Sequence, residues 1–266
     1  MTAIVGILCE DGVVMVADGA ATYGLPSGNL STIRQSTQKL VRISQRQMLG
    51  TSGAVALSQA FTDLIRAQSG VNPDQVVWTQ DGIRNLANNT LFNQCVMPSA
   101  NRANTIANLS GNRGFQVDAT QHSVFACISS EGKPILAQIT PTCQVEFADQ
   151  NLPFISVGSG QVAADPFLAF LKDVFCKGSQ INIRDAKFLA YWAVDLTIRV
   201  QPGMVSYPIQ MMILHKRDGD WHVDELTDEV DGHAQMVQAI EDQMYAHRNV
   251  PSTACSNIPL PPHNPN

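Results

Sequence analysis

The chain has 266 residues and a mass of 28.8 kDa, a length that allows one large domain or two. Apolar residues make up 44% and charged residues 15%, which excludes a disordered chain and predicts a buried core. The net charge is -6, the pI is about 5.4, and Lys and Arg do not cluster. This composition excludes a surface built to bind nucleic acid or an anionic membrane.

The six cysteines form no CxxC pair, and several sit in apolar runs where a reduced thiol behaves as a small hydrophobe. We therefore expect a cytoplasmic protein. The N-terminal residues lack the basic and long apolar parts of a secretory signal, and no segment approaches ~18 uninterrupted apolar residues. The histidines show no paired ligand spacing, so no metal or other cofactor is expected.

In the first part of the chain, apolar runs predict two pairs of strands followed by two helices. The first pair is joined at Asp11-Gly12, a dipeptide that supplies the positive φ angles of a tight hairpin turn. The helix after the second pair places Val55, Leu57, Phe61, Leu64 and Ile65 on one stripe, which predicts that they are buried. The predicted elements are strands 2–8, 13–17, 39–43 and 48–51 and helices 54–68 and 80–95.

Residues 98–121 are rich in Asn, Ser, Gly and Arg and lack periodicity, which predicts a long loop or insertion. A meander of strands should follow, then two amphipathic helices, a hairpin across Arg217-Asp218-Gly219 and a last helix. The predicted strands are 123–129, 135–140, 143–148, 154–157, 209–215 and 221–226, and the helices are 163–176, 183–200 and 229–247.

This order of elements favours antiparallel sheets with helices outside, that is, an α+β fold with four layers, αββα. We expect one domain over residues 2–247. The remaining 248–266 are rich in Pro, Ser and Asn, which predicts a flexible tail.

Thr2 is the first candidate for chemistry. An initiator Met before a small residue is normally removed, and this would leave Thr2 with a free α-amino group. The Thr hydroxyl is then the nucleophile and the amine its base. An α-amine with a pKa of about 7.7 to 8.0 can accept the hydroxyl proton near neutrality.

Five segments, in the family's order, resemble proteasome β-type subunits: Thr2-Ala-Ile-Val-Gly6, residues 16–24, residues 38–43, Gly50-Thr-Ser-Gly53, which opens a helix, and residues 155–160. The form Asp18-Gly-x-Ala-Thr-x-Gly24 is similar to the bacterial HslV-type branch. The resemblance implies an N-terminal-nucleophile fold and a threonine endopeptidase.

The resemblance also implies roles for particular residues. Thr2 would be the nucleophile, Lys39 a cation beside it, and Asp18 the carboxylate that orients Lys39. Ser159 would hydrogen-bond the Thr2 amine, and the Gly53 N–H would form the oxyanion hole. Taken singly, each has a plainer explanation: a turn cap, a solvated strand charge, a Gly-Ser-Gly turn or a helix N-terminus.

Substrate binding follows from the same resemblance. Thr22 would align the substrate main chain as an added strand. The side chains lining the pocket for the residue before the scissile bond would be small and uncharged, which predicts a preference for neutral apolar residues: Ala21, Thr51 and Val55.

Two departures from the family pattern bear on the site. Gly19 stands where most β-subunits have Arg after the Asp, and residues 201–206 replace an Asp-x-x-Ser-Gly-Gly segment that many of them carry. Ser206 is the one candidate substitute there.

The partners implied are identical subunits in stacked rings, an unfolded polypeptide substrate and an AAA+ unfoldase. Two other functions stay open, a catalytically inactive ring-forming scaffold and an amidase acting on a small molecule.

Overall fold

The computed structural model describes residues 2–23, 33–70, 72, 74, 76–109, 121–203, 205–227 and 230–247. The expected tail at 248–266 lies outside these residues. Within them, no helix is long and apolar enough to cross a membrane.

Two five-stranded antiparallel sheets form the centre of the fold. Sheet I has the order β10-β1-β2-β11-β12, with β1 Ile4–Cys9, β2 Gly12–Asp18, β10 Phe154–Val157, β11 Ile209–Arg217 and β12 Asp220–Glu225. Sheet II has the order β5-β6-β7-β8-β9, with β5 Leu40–Ser44, β6 Gln47–Gly53, β7 Gln121–Ile128, β8 Pro134–Ile139 and β9 Val145–Phe147. A separate two-stranded ribbon consists of β3 Ala20–Tyr23 and β4 Ile33–Ser36.

Helices cover the outer faces of the sheets, and three apolar clusters fill the spaces between the layers. One lies between sheet I and helices α4 Gln161–Phe175, α5 Ile183–Val200 and α6 Val230–His247. The second lies between the two sheets. The third lies between sheet II and α1 Val55–Gln68, α2 Gln80–Asn85 and the π-helical segment Leu86–Val96. The predicted α+β architecture with layers αββα is confirmed.

Strand alternation explains this layering. In β2, Val14 and Val16 face the helices, while Val13, Met15 and Ala17 face sheet II. Both faces of the strand are buried, so its sequence is an apolar run rather than an apolar–polar alternation.

The two hairpins of sheet I use different turn chemistry. Asp218 and Gly219 have φ values of 55° and 92°, as a tight primed turn requires. Neither Asp11 nor Gly12 has a positive φ, so the expected role of that dipeptide is wrong. Gly12 is required for a different reason, because a Cβ there would lie 2.1 Å from the Leu214 carbonyl oxygen.

Three further expectations need correction. The segment 98–109 is helical, as α3 Met97–Leu109, and continues directly from the π-helical segment; residues 110–120 of the expected insertion lie outside the described part. Strand β10 leaves the predicted meander and pairs with β1 in sheet I. Val55 is 42% exposed rather than buried, since it is the first residue of α1.

Candidate active site

Thr2 lies at the start of β1 and is only 5% exposed. Its backbone nitrogen donates to Ser159 Oγ at 3.2 Å, and its carbonyl oxygen accepts from the Gly160 N–H at 3.0 Å. Gly158 permits this contact, because its φ is 95° and an added Cβ would lie 2.2 Å from the Thr2 carbonyl oxygen. The loop after β10 therefore holds both polar backbone groups of Thr2.

Asp18 is completely buried at the end of β2 and accepts four hydrogen bonds. Its Oδ1 accepts from Lys39 Nζ at 2.6 Å and from the Ala3 N–H at 2.8 Å. Its Oδ2 accepts from the N–H groups of Ala20 and Ser206, each at 3.3 Å. One carboxylate oxygen thus joins the Lys39 ammonium to the backbone of the residue that follows Thr2.

Lys39 immediately precedes β5 and is 5% exposed. Burial lowers its pKa, and the charge of Asp18 and its hydrogen bond oppose that shift. The Lys39 carbonyl accepts from the Thr51 N–H at 3.0 Å, which joins the lysine backbone to β6. The predicted pairing of Lys39 with Asp18 is present in the structure.

The end of β6 lies beside Thr2. A Cβ added to Gly158 would lie 3.0 Å from Ser52 Oγ and 2.2 Å from the Thr2 carbonyl oxygen. Both atoms therefore lie close to Gly158. Gly53 ends the strand with a φ of 128°, an angle that favours glycine. Thr51 is buried in this strand, and Val55 opens helix α1 with an exposed side chain.

Ala21 and Thr22 both lie in β3. Thr22 pairs with Arg34 of β4, so the main chain at this position is extended.

The two departures from the family pattern meet at Asp18. Ser206, in the replaced segment 201–206, contributes its backbone N–H to the carboxylate, and its carbonyl accepts from the Gly19 N–H at 3.1 Å. A Cβ on Gly19 would lie 2.3 Å from the Pro208 carbonyl oxygen. An Arg at position 19 would therefore displace the chain segment that supports Asp18.

Two residues near the site were not identified from the sequence, Ser52 and Gln210. Gln210 Oε1 accepts from the N–H groups of Lys39 and Leu40, at 2.9 and 3.3 Å. The signal in the sequence was its polarity, because Gln210 shares with the apolar Met212 and Leu214 the face of β11 that points toward sheet II.

Among the described residues, no group of three or more His, Cys, Asp or Glu side chains is arranged to hold a metal ion.

Comparisons with known proteins give a family match over the first part of the chain. Residues 2–70 match the family model described as proteasome subunit. No curated protein matches the chain.

Similar solved structures include three Anbu proteins. A Gly-1 mutant of Anbu from Hyphomicrobium sp. strain MC1 is 18% identical with a TM-score of 0.64, and the match covers 98% of this chain and 100% of that one. Anbu from the same strain is 19% identical with a TM-score of 0.62, and Anbu (ancestral beta-subunit) from Yersinia bercovieri is 14% identical with a TM-score of 0.60. Both of these matches cover 98% of this chain and 99% of the other. These structural matches establish a shared fold, and the match to the proteasome subunit model is confined to residues 2–70.

Proposed function

We propose that the protein is a threonine-type peptidase in which Thr2, freed by removal of Met1, attacks the peptide bond. The observation that carries this proposal is the shared oxygen of Asp18, which binds Lys39 Nζ and the Ala3 N–H at once. A cation and its counter-ion are thereby buried against the chain end that would carry the nucleophile. Burying such a pair is costly, and sites of this kind are often functional.

In the first step the Thr2 Oγ1 forms a bond with the substrate carbonyl carbon, and its proton passes to the Thr2 α-amine. The Lys39 ammonium stabilises negative charge at the hydroxyl oxygen. The charge that develops on the carbonyl oxygen is stabilised by the Gly53 N–H, a type of donor worth ~10² to 10³ in rate. The amine then protonates the departing nitrogen as the C–N bond breaks, and water hydrolyses the ester on Thr2.

Ser159 supports the base in this scheme. Its Oγ is 3.2 Å from the Thr2 nitrogen, so it is placed to orient the amine once Met1 is gone. Thr22, in the extended strand β3, would align the substrate main chain, and Ala21, Thr51 and Val55 would line a pocket for a neutral apolar side chain.

We further propose that identical subunits assemble into stacked cytoplasmic rings that degrade unfolded polypeptide, with an AAA+ unfoldase as partner. Helix α3 supports a contact between subunits, because none of its residues is buried and Met97, Ile106 and Leu109 are 41%, 47% and 83% exposed.

The test is intact mass spectrometry before and after treatment with a peptide epoxyketone, a reagent that needs both the hydroxyl and the free amine of an N-terminal Thr. We expect loss of Met1 and one adduct per chain on Thr2. Thr2→Ala should abolish the adduct, Thr2→Ser should retain it, and Lys39→Met should slow its formation.

A retained Met1, or a trimmed protein that forms no adduct, would contradict the proposal and favour the inactive scaffold. Adduct formation without cleavage of any peptide, combined with turnover of small amides, would favour the amidase.

A further inference from the structure

Gln210 lies in β11 where sheet I passes closest to the beginning of β5. It pairs with Ala17 in the register of β2 and β11, one position from the pair Ile209 and Asp18. The neighbouring residues on the same face, Met212 and Leu214, belong to the apolar cluster between the sheets. Gln210 is therefore the polar end of an otherwise apolar row that faces sheet II.

Its carboxamide makes three hydrogen bonds to the backbone around Lys39. Oε1 accepts from Lys39 N at 2.9 Å and from Leu40 N at 3.3 Å, and Nε2 donates to the Thr37 carbonyl oxygen at 2.5 Å. A side chain of sheet I thus bonds to the backbone of the segment 37–40, which leads into β5. An apolar residue at position 210 would remove these three bonds from partly buried backbone groups.

These contacts set where the Lys39 side chain leaves the backbone. The carbonyl of Lys39 is held by Thr51 N at 3.0 Å and its nitrogen by Gln210, so both peptide groups around its Cα are restrained. From this restrained backbone the Lys39 side chain reaches Asp18 Oδ1 at 2.6 Å. Gln210 itself contacts neither Asp18 nor Thr2 in the hydrogen bonds of the structure, and it acts through Lys39.

We propose that Gln210 is a positioning residue that holds the Lys39 ammonium against Asp18, whose Oδ1 also binds the Ala3 N–H. The catalytic part of this inference rests on the proposed function, and the structural part does not. Gln210 also lines a cavity of about 810 Å³ between α5, α6 and β11, together with Gln238 of α6. Gln238 bonds to Asp242 on its own helix and offers a matched control.

The experiment compares Gln210→Leu, Gln210→Glu and Gln238→Leu. In each, the rate of epoxyketone modification is measured against pH, and kcat and KM are measured separately on a peptide substrate. We expect Gln210→Leu to lower kcat by ~10²-fold with little change in KM, the size of loss that follows a small misplacement. Its pH profile should move, because the surroundings of Lys39 change.

Gln210→Glu keeps an acceptor for the Lys39 and Leu40 N–H groups and loses the donor to Thr37, so its rate should lie between those of the wild type and Gln210→Leu. Gln238→Leu should behave as the wild type. Folding of every variant is verified by circular dichroism, and Gln210→Glu serves as the test if Gln210→Leu does not fold.

A second readout needs no catalysis. The ¹³Cε signal of Lys39, assigned by Lys39→Arg, is followed against pH in a Thr2→Ala background with and without Gln210→Leu. A Lys39 signal that titrates identically with and without Gln210→Leu overturns the proposal, as does a rate loss with an unmoved pH profile. A wild type that forms no epoxyketone adduct refutes the proposed function, while the shift of the Lys39 signal still decides whether Gln210 positions it.

Discussion

At the scale of single residues, Asp18 combines two tasks that usually belong to different groups. Its four acceptor contacts tie together the backbone at Ala3, Ala20 and Ser206, and the same carboxylate neutralises Lys39. A carboxylate offers about four lone-pair directions, so Asp18 is close to saturation. Any change in this side chain alters the fold around Thr2 as well as the charge beside it.

The depressed pKa of Lys39 makes the stability of the fold depend on pH in one direction. Burial lowers this pKa below the ordinary value of 10.5, so between the two values the unfolded chain binds more protons than the folded one. The free energy of unfolding should therefore rise with pH across that window, and it should be lower below the folded pKa, where the buried amine must carry its charge.

Lys39→Met is expected to remove the contribution of Lys39 to the rise of the free energy of unfolding with pH. The measurement is urea denaturation at a series of alkaline pH values, with Lys133→Met, at a side chain that is 76% exposed, as the control. An identical slope in wild type and Lys39→Met would show that burial of the ammonium does not limit stability.

At the scale of elements, α3 differs from the other long helices because it has no buried residue. Ala193 of α5, in contrast, is completely buried between sheet I and its helices. We expect Ala103→Gly in α3 to cost no more than about 1 kcal/mol, the difference in helix propensity alone. Ala193→Gly should cost more, because packing is lost in addition.

Urea denaturation of the two Ala→Gly variants measures this difference directly. Equal costs, or a larger cost in α3, would mean that α3 packs in solution against a surface of the same chain. A change in particle size on Ala103→Gly, measured by light scattering, would instead indicate a contact between subunits.

The elements that were predictable from the sequence are those whose pattern is local. The strands β1, β2 and β5 are mainly apolar runs, and α5 has a buried apolar face, an Asn182 cap at its start and Pro202 just after its end. Helix α3 was not predictable, because its polar sequence has no periodicity to read. The pairing of β10 with β1 was not predictable either, since it depends on which sheet offers a free edge rather than on residues 154–157 themselves.

The residues of the candidate site also divide into those that could be predicted from the sequence and those that could not. Asp18, Lys39 and Ser159 occur in segments with a recognisable order, and the structure brings all three to the Thr2–Ala3 segment. Gln210 and the backbone of Ser206 were beyond prediction, because their contributions come from segments remote in sequence and, for Ser206, from a peptide N–H that any residue carries.

At the scale of the whole molecule, the layered core keeps the described cysteine side chains away from solvent. The five cysteines in the described ranges are free and buried: Cys9, Cys95, Cys127, Cys143 and Cys176. Burial raises the pKa of each, for Cys143 to about 11. Because the thiolate is the reactive form, these side chains should be inert at neutral pH.

Iodoacetamide at pH 7.5 is thus expected to leave these five positions unmodified in the native protein and to modify them after denaturation, as peptide mapping would reveal. Peptidase activity should survive the native treatment. Loss of activity together with labelling of one of the five would point to a cysteine nucleophile and against Thr2.

The burial of Thr2 also limits when Met1 could be removed. An aminopeptidase must enclose the residue that follows the bond it cuts, whereas here Thr2 is 5% exposed and its nitrogen and carbonyl are both engaged by the loop after β10. That loop is translated more than 150 residues after Thr2, as the positions of Ser159 and Gly160 require. For the proposed function this burial means that Met1 would have to be removed during synthesis, before the loop after β10 encloses Thr2, because the folded chain would hold the Thr2 nitrogen in a peptide bond.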